Sequence, residues 1–249
     1  MILYDTPGRE VLRTMLDEWE KVGYFMQKNE PKVLRYFNAL RAGKPNLYVQ
    51  TYTVPSSKNT YTVISQKTGD DTVTTWNCLK VDGDNGMRKV MILKKNTPSE
   101  KRFPDNPAWI LNIYTGHFLS RYRERTGAVG AHTDELIARF LQKNHYKELT
   151  IPAFLVNHSD EDESEIAIVS EEGLSFARTE SFTVNGQRFS INENKTFVSK
   201  DNLYYRQAVS IMSTDYMVKR LKLQKAQEEG ASVRTMMAIM NSGFYEPKH

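Results

Sequence analysis

The sequence predicts an α+β protein in which helices accompany mainly antiparallel strands. Apolar residues recur at helical spacing near the N-terminus, and a series of Val-, Thr-, Tyr- and Ile-rich runs separated by short polar turns follows. Two amphipathic helices then precede a second series of short strand-like runs. Helices and antiparallel strands in separate segments of the chain are typical of the α+β class. With 249 residues, 39% of them hydrophobic, the chain is long enough to bury a substantial core.

The N-terminal segment predicts a helical hairpin. Thr6-Pro7 is typical of a helix start, and the apolar spacing indicates one helix over 7–28 and a shorter one over 31–42. We therefore expect a helical hairpin in residues 1–45 and an α+β domain in 46–249; a single domain formed by both is the alternative.

The remaining segments are expected in the order meander, central helices, second antiparallel sheet segment and long C-terminal helix. Short turns favour antiparallel pairing in the first meander, since parallel strands need longer crossovers. Its four strands are expected at 47–54, 60–66, 72–81 and 87–95, and a fifth strand at 109–114 follows an irregular connector. Helices are expected after Thr115, over 133–144, over 201–229 and over 233–240. Strands of the second segment are expected at 150–156, 165–170, 174–179, 182–184, 188–191 and 195–199, with Asn185-Gly186 as a type I′ hairpin turn.

Composition and motifs exclude several classes of protein. The single cysteine, Cys78, rules out a disulfide framework and a cysteine-based zinc site. Neither a P-loop nor a dinucleotide-binding glycine motif is present in the sequence. The chain shows no signal peptide and no apolar run long enough to span a membrane. We expect a cytoplasmic protein that has no membrane partner, metal or cofactor.

Charge is segregated along the chain although the net charge is only +4. Residues 87–127 contain nine basic and three acidic residues, whereas 160–172 contain seven acidic residues and no basic one. Solvated strand edges and loops are the ordinary explanation of such blocks, and a basic surface that meets an anionic partner is the alternative. The candidate nucleic-acid-binding residues of the basic block are Arg88, Lys89, Lys94, Lys95, Lys101, Arg102 and Arg123.

One helix combines residue types that suit chemistry on a phosphodiester. At 100° per residue, four polar side chains that follow Thr115 share one face, and apolar Phe118, Leu119 and Tyr122 lie opposite. The candidate catalytic residues on the polar face are His117, Arg121, Glu124 and Arg125. An imidazole can transfer a proton near neutral pH, and guanidinium groups can hold a phosphate and stabilise developing charge. Ordinary helix ion pairs and a solvent-facing histidine are the alternative interpretation.

The pattern His117-x3-Arg121-x2-Glu124-Arg125 resembles the helical signature of small uncharacterised bacterial domains related to RelE-type ribonuclease toxins. In those domains an antiparallel sheet follows the helix, and a late strand adds polar residues. The resemblance implies that Lys195–Ser199 takes the place of that strand. It covers roughly residues 110–210, and the chain departs from it in its length, its N-terminal helices and its first meander.

Two functions from different classes follow from these observations. The first is a nucleic-acid-binding protein that cleaves RNA without a metal ion, in which His117 acts as acid or base while Arg121 and Arg125 stabilise the phosphate. The second is a non-enzymatic interaction or assembly protein, of phage or mobile-element type, whose charged blocks pair with other subunits. RNA or another nucleic acid, or a further copy of the chain, is accordingly the expected partner.

Overall fold

The computed structural model describes residues 1–40, 46–67, 73–84, 87–96, 107–128, 132–144, 149–152 and 164–203, together with Gln207 and Met237. The helices are α1 (Gly8–Asn38), α2 (Gly116–Arg125) and α3 (Thr133–Asn144). The strands are β1 (Tyr48–Thr53), β2 (Thr60–Lys67), β3 (Val73–Asp82), β4 (Arg88–Lys95), β5 (Trp109–Tyr114), β6 (Leu149–Pro152), β7 (Glu165–Val169), β8 (Gly173–Val184) and β9 (Gln187–Ser199). This combination confirms the α+β class.

All nine strands belong to one sheet with the order β1-β2-β3-β4-β5-β9-β8-β7-β6. Neighbours are antiparallel except β5 and β9, which run parallel from Trp109 opposite Phe189 to Tyr114 opposite Asn194. The first meander is therefore confirmed. The second antiparallel segment is not a separate sheet, because the parallel pair joins it to the first.

The predicted N-terminal hairpin is wrong, since residues 8–38 form one continuous helix that contains Pro31. Pro31 removes one backbone donor, yet the inward-facing side chains keep their phase across it. The stripe on the sheet side of α1 consists of Val11, Met15, Val22, Met26, Val33 and Phe37, so that spacings of four and seven alternate without interruption. This unbroken stripe favours one helix over two.

The helices lie on opposite faces of the sheet and create two cores. On β4, Met91 and Leu93 pack with α1, whereas Val90 and Ile92 pack with α2 and α3. We call these the α1 core and the α2–α3 core. Four apolar residues of α3 are buried in the second core: Leu136, Ile137, Phe140 and Leu141. Two-sided burial explains the nearly continuous apolar stretch in the middle of β4.

Strands β8 and β9 are longer than their sequence patterns suggest. Each replaces two predicted pieces, and the two strands pair with each other along their whole length. The Asn185-Gly186 turn between them is confirmed, with positive φ angles of 50° and 74°. Continuous pairing satisfies backbone groups through the polar stretch between the predicted pieces, which explains why each strand continues across it.

The alternation of side chains along β9 changes at Lys195. Thr196 pairs with Phe176 and Asn194 pairs with Ala177, so Lys195 is the additional residue of a β-bulge. Before the bulge, Ile191 belongs to the α1 core, and after it Phe197 belongs to the α2–α3 core. An additional residue shifts the period-two pattern by one, so a single strand contributes to both cores.

After β9 the chain forms a 3₁₀ turn over Lys200–Asn202, and Leu203 then returns to an extended conformation. The long helix predicted to begin at Asp201 therefore does not begin there. The rest of that prediction and the helix over 233–240 lie outside the described residues apart from Gln207 and Met237. Within the described residues, every helix is too short or too polar to cross a bilayer.

Candidate nucleic-acid-binding cleft at α2 and β9

Helix α2 starts directly after the central strand β5, as the sequence predicts. Thr115 is its N-cap: the hydroxyl oxygen accepts a hydrogen bond from the Phe118 amide at 3.2 Å. The same hydroxyl also lies within donating distance of the carbonyl oxygens of Asn194, at 3.1 Å, and Lys195, at 3.4 Å. The cap residue thus both begins the helix and places it against β9.

The apolar side of α2 packs into the α2–α3 core through Phe118, Leu119 and Tyr122, as expected. The rings of Phe118 and Tyr122 meet the ring of Phe197 edge-on, with centroids 6.0 Å and 5.0 Å away. Burial of this side leaves His117 and Glu124 exposed, and Arg121 and Arg125 half-buried at the edge of the helix.

Helix α2 also takes the place of a strand beside the end of β9. Strand β5 stops at Tyr114 opposite Asn194, while β9 continues to Ser199. The Nη1 group of Arg125 donates a hydrogen bond to the carbonyl oxygen of Phe197 in this continuation. An otherwise unpaired strand edge is thereby covered by a charged helix, and a cleft forms between them.

Two adjoining pockets make up this α2–β9 cleft. The outer pocket has a volume of about 670 Å³ and is lined by Arg121, Glu124, Arg125, Val198, Asn202 and Gln207. The inner pocket has a volume of about 340 Å³ and is lined by Arg125, Glu165, Ile166, Phe176, Ala177, Lys195, Thr196, Val198 and Gln207. Arg125 belongs to both pockets and therefore lies at the centre of the cleft.

The cations in the cleft differ in how firmly they are held. Arg121 forms an ion pair with Glu124 at 2.9 Å, and the two side chains are 41% and 64% exposed. An exposed pair within one helix contributes little to stability, so Arg121 can exchange Glu124 for an anionic ligand at small cost. Arg125 is anchored to the backbone of β9 instead. A guanidinium has five N–H donors, so this anchoring is compatible with further bonds to a phosphate.

Sequence reasoning placed the Lys195–Ser199 stretch near α2 through the family resemblance, but it identified neither Lys195 nor Glu165 nor Phe176 as members of the site. The structure brings all three to the inner pocket. β-Bulges commonly redirect side chains, and the bulge at Lys195 does so at the edge of this cleft. The bulge arises from the pairing of β8 with β9, which has no local signal in the sequence.

His117 occupies the first turn of α2 and is exposed. Arg121 follows one turn later and Arg125 one turn after that, which corresponds to rises of about 6 Å and 12 Å along the axis. His117 does not line either pocket of the cleft. The four predicted residues therefore form a row along the helix: three line the cleft, and the histidine extends the row beyond it.

The predicted basic surface from Arg88 to Arg125 is not one surface. Side chains on β4 alternate between faces, so Lys89 and Lys95 lie on the side of α1, whereas Arg88 and Lys94 lie on the side of α2 and α3. Arg123 is half-buried on α2, and Lys101 and Arg102 lie outside the described residues. The basic block of the sequence is divided between two faces because successive side chains of a strand point to opposite sides of the sheet.

Internal contacts also occupy several of these cations. Arg88 pairs with Asp82, with Nε–Oδ1 at 2.5 Å, and this hydrogen bond holds the pKa of Asp82 below its ordinary value. The Lys89 ammonium donates to the carbonyl oxygen of Tyr4 at 2.8 Å, and the Lys95 ammonium lies 5.2 Å from the centre of the Trp109 ring. The clearest phosphate-binding candidates are consequently the cations of the cleft.

The acidic block contacts α3 rather than the arginines of α2. Lys143 lies 3.4 Å from Glu171, and Arg139 lies 3.1 Å from Glu172. Residues 160–163 lie outside the described residues, and within 164–172 no carboxylate forms an ion pair with Arg121 or Arg125. Folding therefore does not use those two arginines to neutralise the described part of the block.

Comparison with known proteins identifies no relative. Neither a protein-family model, nor a curated protein, nor a solved structure matches the chain. Among the described residues, there is no group of three or more histidine, cysteine, aspartate or glutamate side chains that could hold a metal ion.

Proposed function

We propose that the protein binds RNA at the α2–β9 cleft and cleaves it without a metal ion. The observation that carries this proposal is the row of exposed His117, exchangeable Arg121 and anchored Arg125 along one helix, with Lys195 lining the same inner pocket as Arg125. Three cations along one cleft suit successive phosphates of a single strand. The neighbouring imidazole supplies a group that can transfer a proton.

The chemistry proposed for this row is attack of the ribose 2′-oxygen on the adjacent phosphorus. A bond forms between that oxygen and phosphorus, the bond from phosphorus to the 5′-oxygen breaks, and a cyclic phosphate and a free 5′-hydroxyl result. One proton leaves the 2′-hydroxyl and one reaches the departing oxygen. His117 carries out one of these transfers and a water molecule the other, while Arg121 and Arg125 stabilise the charge on the phosphate oxygens.

Binding and cleavage of a short fluorescein-labelled single-stranded RNA in excess EDTA test the proposal. Arg121→Ala should weaken binding and reduce the magnitude of the slope of log affinity against log salt by about one. His117→Ala should abolish cleavage with an unchanged melting temperature, because the residue is exposed. Binding with normal strength by Arg121→Ala, or cleavage at the normal rate by His117→Ala, would contradict the proposal.

Matched controls come from the same chain. Arg13→Ala removes an exposed arginine from α1, on the other face of the sheet, and should leave RNA binding unchanged. His132→Ala removes a second exposed histidine, located before α3, and should leave cleavage unchanged. A fall in melting temperature for His117→Ala would instead assign that histidine to folding.

A specific observation also favours the second candidate, a protein that assembles with other subunits. A groove of about 600 Å³ separates the second half of α1 from the sheet, and Met26, Val33, Val63 and Val73 contribute apolar surface to it. Leu34 at its edge is 42% exposed. Light scattering at low and high salt distinguishes the two candidate functions. Self-association without RNA supports the assembly protein, whereas a monomer that binds RNA supports the RNA-binding cleft.

A further inference from the structure

The inner pocket of the α2–β9 cleft differs from the outer one in having an apolar wall and a carboxylate opposite its cations. Val198 contributes apolar surface, and Phe176, on the same face of the sheet, adds an aromatic ring. Its volume of about 340 Å³ is at the lower end of the range of small-molecule sites, roughly 300–1,000 Å³. A phosphate alone needs neither an aromatic wall nor a carboxylate, so the pocket suits a group attached to the phosphate.

The sheet register places Glu165 and Phe176 on one face as diagonal neighbours. Phe176 pairs with Ala167, which lies two residues after Glu165 on β7. Such diagonal neighbours lie about 7–8 Å apart. A flat ring stacked on Phe176 would therefore point its edge towards the Glu165 carboxylate.

Both side chains are suited to receiving such a ring. Phe176 is half-buried and packs against the cluster of Ala167, Val169 and Leu174, which holds the aromatic ring in place. Glu165 is exposed, and it forms no ion pair with its cross-strand neighbour Arg178, although the structure describes both residues. The carboxylate is consequently available to accept hydrogen bonds from a ligand.

We infer that the inner pocket binds a guanine base of single-stranded RNA, stacked on Phe176 and recognised by Glu165; this inference rests on the proposed function. A carboxylate only accepts hydrogen bonds. Guanine presents two adjacent donors on its Watson–Crick edge, N1–H and the N2 amino group, which a carboxylate can accept together. Adenine and cytosine place a ring acceptor beside their amino group, and uracil flanks its single donor with two acceptors.

Arg125 and Lys195 complete the nucleotide site. Both line the pocket that holds Glu165 and Phe176, and Arg125 continues into the outer pocket beside Arg121. The phosphate attached to the bound guanosine lies between these cations, and the neighbouring phosphate continues along α2. The cleavage position is then set relative to a guanine, because the base fixes which phosphate approaches the helix.

The experiment compares binding of oligouridine that contains a single central guanosine with the same oligonucleotide containing adenosine, cytidine or only uridine. The guanosine oligonucleotide should bind about tenfold more tightly, as expected of a two-point base contact. Glu165→Gln should abolish that preference, because an amide presents one donor and one acceptor. Phe176→Ala should weaken all four by about tenfold through loss of stacking. Glu20→Gln, at an exposed position on α1, is the control and should retain the preference.

The outcomes separate this inference from the proposed function. Equal binding of the four oligonucleotides by the wild-type protein would overturn the guanine pocket while leaving RNA binding intact. A guanosine preference that survives Glu165→Gln would also overturn it. Failure of every oligonucleotide to bind would overturn the proposed function itself.

Discussion

At the scale of single residues, the most unusual side chain away from the cleft is Glu18, a carboxylate on α1 that is only 3% exposed. Its oxygens accept hydrogen bonds from the Asn59 amide at 3.0 Å and the Tyr61 hydroxyl at 2.6 Å. Asn59 in turn accepts from the backbone amide of Ile2 at 2.7 Å. One carboxylate thus ties the N-terminus, α1 and the start of β2 together through neutral donors.

Replacement of Glu18 by alanine should lower the free energy of unfolding by about 1–3 kcal/mol, because the buried donors of Asn59 and Tyr61 lose their acceptor. Urea denaturation measures the change. Glu20→Ala, at an exposed position two residues later and on the other side of α1, should stay within about 0.5 kcal/mol of the wild type. Equal stability of the two variants would show that the network adds nothing to the fold.

Two buried tyrosines make stability sensitive to alkaline pH. Burial is the main cause that raises the pKa of Tyr61, and the hydrogen bond to Glu18 adds to it. Burial and the hydrogen bond to Glu172 raise the pKa of Tyr122 in the same way. The unfolded chain loses these protons near pH 10, while the folded chain retains them. The free energy of unfolding should therefore fall as the pH rises above about 10.

The double variant Tyr61→Phe/Tyr122→Phe should show a shallower fall in stability over that alkaline range. Guanidinium unfolding at a series of pH values gives the slope directly. Tyr24→Phe alters an exposed tyrosine, 68% accessible, and should retain the wild-type slope. Identical slopes for all three proteins would place the alkaline sensitivity elsewhere.

At the scale of secondary-structure elements, the bulge in β9 links folding to the cleft. It turns Phe197 into the α2–α3 core and leaves the exposed Lys195 at the inner pocket. Regular pairing would place Phe197 on the opposite face, because each added or removed residue reverses the alternation.

Deletion of Lys195 should consequently destabilise the protein by about 3–5 kcal/mol, the cost of removing a fully buried phenylalanine from a core. Lys195→Ala keeps the backbone of the bulge and should change stability by less than about 0.5 kcal/mol. Thermal unfolding followed by circular dichroism compares the two variants. A deletion variant as stable as the alanine variant would show that the strand repacks without the bulge.

At the scale of the whole molecule, the parallel pair of β5 and β9 joins the two antiparallel groups, and a polar junction at Glu172 reinforces the connection. Tyr122 on α2 donates to this carboxylate, as do Arg139 at 3.1 Å and Asn144 at 3.2 Å on α3. Glu172 itself lies in the turn between β7 and β8. Both helices on this face are therefore attached to one turn of the second strand group.

Glu172→Ala should lower the free energy of unfolding by about 2–3 kcal/mol, since three partly buried donors lose a shared acceptor. The adjacent Glu171→Ala removes a more exposed carboxylate, paired with Lys143, and should cost less than about 1 kcal/mol. Chemical denaturation with both far-ultraviolet and fluorescence probes measures these values. Equal losses for the two neighbours would contradict the role of the junction.

Much of the fold could be predicted because its signals are local. The four strands of the first meander, the fifth strand, α3, the Thr115 cap and the Asn185-Gly186 turn depend on neighbouring residues, and all are confirmed. Three predictions were wrong for equally physical reasons. Continuous packing of α1 on the sheet overrides the predicted break between residues 28 and 31, and strand pairing closes the gaps predicted within β8 and β9. A 3₁₀ turn replaces the start of the helix predicted at Asp201.

The sequence by itself determined that α2 presents His117, Arg121, Glu124 and Arg125 on a polar face opposite Phe118 and Tyr122, because the helical period dictates which residues share a side. Only the tertiary structure decided what that face meets. The parallel pairing of β5 with β9, the early end of β5 and the bulge at Lys195 are contacts between distant segments. They bring Glu165, Phe176 and Lys195 to Arg125, and no local pattern records such contacts, since their energy comes from surfaces that are buried only when the chain is folded.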